Sequence, residues 1–179
     1  MVKISIKYGV ILGAVSIICA AIVSGVYVIV QPIIVERTIQ KVRDNLGKVY
    51  AKSPFKYEEI TETAKLEKLL DVDGLYKVTI GADSINYVYE LSPEGRNAPI
   101  LYLIAFDTKG AVKKIQYVQM RETKGRGDKI IAEEYLAKIY SKNAAKMSVD
   151  IISGATYSTK AMKQSIEAVS NHLITEVLK

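Results

Sequence analysis

Four serine and threonine side chains crowd one short stretch, Asp150 to Thr159, which reads DIISGATYST. Ser153, Thr156, Ser158 and Thr159 stand ahead of a segment with helical periodicity, in which Met162, Ile166, Val169, Leu173 and Val177 share one face. Two kinds of chemistry suit the pattern. Each of the four is a good cap, accepting a hydrogen bond from an N–H of the helix that begins near Lys160. Alternatively, Gly154 lets the backbone turn consecutive N–H groups outward, and the helix N-terminus adds partial positive charge. Together these form a phosphate site with the Thr156 hydroxyl beside it. A hydroxyl held next to phosphate is a phosphoryl acceptor when an external enzyme supplies the activated donor. On local pattern alone the cap is the simpler reading.

Other chemistry is poorly supplied. The chain has one histidine, His172, and no Gly-x-Ser-x-Gly elbow, so a hydrolase triad with Ser153 is disfavoured and His172 reads as structural or exposed. The one cysteine, Cys19, sits in an apolar run. Without a Cys-x-x-Cys pair, a Cys-ligated zinc site, an iron–sulfur cluster and an attached c-type haem are all disfavoured. Any redox role would rest on an organic cofactor. The formal charge is +6, and Lys3 and Lys7 supply two of the 25 basic residues. The remaining excess is mild and no basic stripe carries interleaved aromatics, so no nucleic-acid partner is expected.

The elements around the motif read as follows. From Tyr8 to Val35 no side chain is charged. The core of this run, Ile11 to Val30, has the roughly 20 apolar residues that a membrane-crossing helix needs. Its small residues, Gly13, Ala14, Ser16, Ala20, Ala21, Ser24 and Gly25, suit packing against other membrane helices. A cleaved signal peptide would be shorter and end at a small-x-small site. A lipoprotein signal through Cys19 would want a small residue where Ile18 stands. A retained span is preferred to both, with Lys3 and Lys7 marking the cytoplasmic side and the rest of the chain outside the cytoplasm.

Pro32 opens a second helical pattern with Ile39, Val42, Leu46 and Val49 on one stripe, and YEEITETAKLEKLLDV suggests another helix. The period then changes to short runs rich in Val, Ile, Tyr and Thr at 75–80, 84–91, 99–106 and 111–120. AFDTKGAV reads as a hairpin with Asp107 opening the turn and Gly110 at positive φ. Asp128 is placed to cap a helix with Ile131, Tyr135 and Ile139 on one face. The expectation is an α+β fold, an antiparallel sheet backed by helices, with one N-terminal transmembrane helix. The boundaries expected are 1–35 for the cytoplasmic end and the span, 36–72 for a juxtamembrane helical segment, and 73–179 for an extracytoplasmic domain.

Two segments carry a resemblance. DIISGAT resembles the flavinylation motif Asp-x-x-Ser-Gly-Ala-Thr, and ETKGRG (Glu122 to Gly127) resembles the ETPGLG segment of FMN-binding domains. EGRNAPILYLIAFDTKG resembles in part a Gly-rich, Tyr-containing segment that precedes the central strands. These domains occur in the G subunit of Rnf-type complexes and in the C subunit of the sodium-translocating NADH:quinone reductase. The resemblance implies FMN attached by a phosphoester to Thr156, with Asp150, Ser153, Gly154 and Ala155 as the recognition pattern. It implies Glu122, Thr123, Gly125 and Gly127 as further cofactor-binding residues, while Lys124 and Arg126 replace the family's Pro and Leu. It also implies maturation by a magnesium-dependent flavin transferase using FAD. The partners implied are the membrane and the other subunits of an Rnf-type complex, which couples ferredoxin:NAD electron transfer to ion translocation. In that setting the chain relays electrons without turnover of its own and has no catalytic residue. Two other readings stay open: a stand-alone membrane-anchored FMN carrier, and a tethered binding module in which SGAT merely caps a helix.

Overall fold

Runs of Val, Ile, Tyr and Leu build a five-stranded meander. The computed structural model describes residues 2–50, 53–60, 69, 71–81 and 84–179. Its strands are β1 (Phe55–Glu59), β2 (Val72–Ile80), β3 (Ser84–Leu91), β4 (Leu101–Asp107) and β5 (Val112–Gln119). They pair antiparallel in chain order, so each strand lies beside its sequence neighbour. The β4–β5 turn is the expected one. Gly110 has φ +78°, and an Asp107 carboxylate oxygen accepts the N–H groups of Lys109 and Ala111, each at 2.9 Å.

Successive residues of a strand point to opposite faces, and both faces of the central strands are buried. Leu75, Tyr89, Leu91, Tyr102, Ile104 and Phe106 form one inner face. Helices α2 (Glu133–Tyr140) and α3 (Thr156–His172) cover it with Tyr135, Ile139, Met162, Ile166 and Val169. Hydroxyls fix α3 on the sheet: Tyr102 Oη lies 2.7 Å from Ser165 Oγ, and Tyr89 Oη lies 2.9 Å from His172 Nδ1. His172 is therefore a buried structural residue.

The chain separates into two compact units, Met1–Asp44 and Asn45–Lys179. In the first, α1 (Val2–Val49) contains Tyr8–Tyr27, 20 residues long and apolar enough to cross a membrane. In the second, the last residues of α1 meet the other face of the sheet. Asn45 Nδ2 donates to Glu90 Oε1 at 3.0 Å, and Lys114 Nζ donates to the terminal carbonyl of Val49 at 2.9 Å. A cation at a helix C-terminus also complements the helix dipole.

Three local expectations are corrected. Pro32 does not open a new helix, because α1 stays helical through it; losing one N–H donor is tolerated within a long apolar helix. The pattern from Tyr57 suggests a helix, yet Phe55–Glu59 is the edge strand β1, with Phe55 opposite Ile80 and Tyr57 opposite Val78. The rest of that expected helix, 61–68 and 70, lies outside the described residues. Finally, Asp128 caps no α-helix. It lies inside a 3-10 turn, Gly127–Ile131, and α2 begins after an extended Ala132 at φ −59°, ψ 134°. That break resets the helical phase, so Ile130 enters the core and Ile131 is left exposed.

Candidate functional site

The stretch before α3 is held at several points. Tyr135 Oη donates to the Asp150 carbonyl at 3.2 Å. Burial pushes the Tyr135 hydroxyl up to about 12, with the charge of Asp150 adding to the effect. Lys163 Nζ donates to the Val149 carbonyl at 3.0 Å, while the Val149 N–H donates to Glu167 at 3.1 Å. The Ala155 N–H then closes a turn onto the Ile152 carbonyl at 3.0 Å, and Gly154 takes φ +82°. The chain enters α3 at Thr156.

The hydroxyls of this stretch are not caps. Ala155 occupies the N-cap position, and the helix has no side-chain capping hydrogen bond there. Thr159 is fully buried and donates back to the Ala155 carbonyl at 2.9 Å. Ser158 is 2% exposed, and its hydroxyl donates to Glu122 Oε2 at 2.8 Å. Thr156 and Tyr157 are exposed, Tyr157 by 62%. The leading N–H groups of a helix have no carbonyl one turn earlier. At α3 the residues of that uncapped turn line a cleft.

That cleft has a volume of about 910 Å³ and is built from three segments. Arg96 and Asn97 come from the turn before β4. Glu122, Thr123, Arg126 and Gly127 come from the loop after β5. Gly154, Ala155, Thr156, Tyr157, Ser158 and Lys160 come from the entry to α3. Asn97 Nδ2 donates to Thr123 Oγ1 at 3.1 Å, joining the first two segments. Glu122 Oε1 accepts the N–H of Arg96 at 2.9 Å and that of Asn97 at 3.4 Å.

Of the nine residues singled out in the sequence, six line this cleft: Glu122, Thr123, Gly127, Gly154, Ala155 and Thr156. Asp150 and Ser153 are exposed outside the lining and belong to the approach to the turn. Gly125 is also outside it and supplies a loop bend at φ +71°. Sequence reasoning missed Arg96, Asn97 and Lys160, and it read Ser158 only as a cap. The cluster Gly95, Asn97 and Pro99 was a turn signal for the first segment. Nothing local connected it to a loop about 25 residues further on.

The same three segments fall within the part of the chain that matches a known family. Residues 95–171 match the family model described as an FMN-binding domain, which is the family that the two motifs resemble. Beyond that domain, the chain is similar to the G subunit of the ion-translocating oxidoreductase complex of Haemophilus influenzae (strain PittEE). The two are 29% identical over 133 residues, which cover 72% of this chain and 64% of that protein. The protein of the same name from Pasteurella multocida (strain Pm70) is 27% identical, with 98% of this chain and 96% of that protein covered. The chain thus spans just under two thirds of the length of the Haemophilus protein and nearly all of the Pasteurella one.

The cleft suits FMN on its own chemistry. Its volume is within the usual range for cofactor pockets, about 300–1,000 Å³. Arg96, Arg126 and Lys160 give three cations to its wall, next to the open first turn of α3. That combination favours a phosphate. Tyr157 presents an exposed ring against which a flat aromatic system can pack.

Proposed function

We propose that this protein is the FMN-carrying electron-transfer subunit of a membrane-bound Rnf-type complex, with the cofactor joined to Thr156 through a phosphoester. The observation that carries the reading is the place of Thr156: an exposed hydroxyl on the first residue of α3, in one cleft with Arg96, Arg126 and Lys160. The names of the similar proteins support the complex, and the match over residues 95–171 supports FMN.

In the attachment step, Thr156 Oγ1 bonds to the FMN phosphorus of FAD. The phosphoanhydride bond breaks, AMP leaves, and the hydroxyl proton passes to the flavin transferase that carries out the reaction. The first-turn N–H groups of α3 and the three cations then hold the phosphodiester charge. FMN supplies reversible uptake and release of electrons, while the protein supplies position and electrostatics. A tether keeps the local flavin concentration high however weak the noncovalent pocket is. This matters most outside the cytoplasm, where lost FMN is hard to replace. Lys3 and Lys7 on the short side of the span favour that placement of the domain.

Co-production with a flavin transferase and FAD, followed by a denaturing gel viewed under ultraviolet light, tests the covalent carrier. A fluorescent band at the mass of the chain is expected, and a dark band under saturating transferase contradicts the reading. Detergent extraction from the native membrane tests the complex. Co-purification with multi-span subunits is expected, whereas recovery of the chain by itself favours the stand-alone carrier.

A further inference from the structure

Glu122 places a carboxylate in the wall of a cleft suited to an anion, an arrangement that is unfavourable unless the charge is occupied elsewhere. Both of its oxygens are engaged within the protein. Oε1 accepts the Arg96 and Asn97 N–H groups, and Oε2 accepts the Ser158 hydroxyl at 2.8 Å. One side chain thereby joins the turn before β4, the loop after β5 and the first turn of α3. Two glycines make room for it. A Cβ on Gly95 would collide with Oε1, and a Cβ on Gly127 would collide with Oε2.

We infer that Glu122 is a positioning residue for Thr156, resting on the reading of Thr156 as the flavin attachment site. It acts as a strut rather than as a cofactor ligand, proton acceptor or metal ligand. By anchoring Ser158, two residues after Thr156 on the same helical turn, it sets the direction of the α3 terminus. By anchoring Arg96 and Asn97, it sets the opposite wall. The role depends on length and on hydrogen-bonding capacity, not on negative charge.

Glutamine separates these properties. Its carbonyl oxygen can accept the two N–H groups, and its amide can donate to Ser158 Oγ, which also accepts. Aspartate keeps the charge but is one methylene short. The experiment measures the rate of FMN incorporation by intact mass, using purified flavin transferase, FAD and magnesium, for the full-length wild type, Glu122→Gln, Glu122→Asp, Glu122→Ala and Ser158→Ala. Circular dichroism melts accompany each variant. Glu122→Gln is expected within about threefold of wild type, and Glu122→Asp and Glu122→Ala at least tenfold slower. Ser158→Ala, which leaves the Arg96 and Asn97 bonds in place, is expected to fall between them. It also keeps the test decisive where Glu122→Ala fails to fold. A Glu122→Gln variant that melts like wild type but loads as slowly as Glu122→Ala overturns the strut, because charge is then what matters. A wild-type rate in Glu122→Ala, or in Ser158→Ala where Glu122→Ala does not fold, overturns it as well. Failure of the wild type itself to gain FMN is a different result and strikes the attachment reading instead.

Discussion

The Ser158 hydroxyl meets Glu122 Oε2 at 2.8 Å over a glycine, Gly127, whose missing side chain is the space the pair occupies. A Cβ at Gly127 would collide with the carboxylate and come within 3.0 Å of Ser158 Oγ. Gly125, two residues earlier, has open space around it but φ +71°. The two glycines should therefore respond differently to alanine. Gly125→Ala is expected to cost about 1–2 kcal/mol from the left-handed backbone alone. Gly127→Ala is expected to cost about 1–3 kcal/mol by overpacking and also to disturb the cleft, which shows as slower FMN loading. Urea unfolding and loading rates measure both. Normal loading in Gly127→Ala would remove the packing argument.

Arg126 lines the cleft and Lys124 does not, although both stand where the resembled family has uncharged residues. A cation near the flavin favours its anionic reduced form. Arg126→Ala is expected to lower the midpoint potential by about 20–40 mV, roughly 0.5–1 kcal/mol for one electron. Lys124→Ala is expected to lower it less. Spectroelectrochemical titration at low and high salt provides the comparison, and equal potentials in wild type and Arg126→Ala contradict it.

Six tyrosines among the described residues give the domain an alkaline limit. Burial is the first cause of a raised hydroxyl at Tyr50, Tyr76, Tyr89, Tyr102, Tyr117 and Tyr135. For a group whose folded value lies above its unfolded one, the stabilisation is complete below the unfolded value, about 10, and is lost as pH rises through the folded value. Stability should hold to about pH 10 and then fall steeply. Tyrosinate absorbance from these side chains should appear together with unfolding, not ahead of it. Smooth ionisation of all twelve tyrosines near pH 10 in a folded protein is the contrary result.

Asp107 sets the opposite sign. Burial pushes its carboxyl up, but the Ala111 N–H, Lys113 and the Lys109 N–H outweigh this and hold it below the ordinary carboxylate value of 3.8. Its contribution is present above that value and is lost as pH falls through the lower folded value. Asp107→Asn should lower the melting temperature at pH 7, and the gap should close as pH falls below 3.8 and through the lowered folded value. A gap that persists in acid would place the effect in turn geometry rather than in charge.

Much of this arrangement is legible in the sequence because it is periodic or local. Strands β2 to β5 follow runs of Val, Ile and Tyr, and the buried face of α3 follows Met162, Ile166, Val169 and Leu173. Edge strand β1 is hidden because Lys56, Glu58 and Glu59 face solvent and leave little apolar alternation to read. The helix phase at Ile131 is hidden because it depends on the break at Ala132. At the site, Thr156 is found by its motif, whereas Ser158 reads as a cap until the meander brings Glu122 to it from 36 residues away. Arg96 and Asn97 are invisible for the same reason. Their bonds to Glu122 are made by backbone N–H groups, which carry no side-chain signature.

In the proposed function one hydroxyl among several, that of Thr156, carries the cofactor. Intact mass and peptide mapping of wild type and Thr156→Ala, each produced with a flavin transferase and FAD, test it most directly. The wild type should gain the mass of one FMN less one water, on the peptide containing Thr156, and Thr156→Ala should gain nothing. Covalent FMN on Thr156→Ala, or on Ser153 or Ser158 in the wild type, would contradict the assignment.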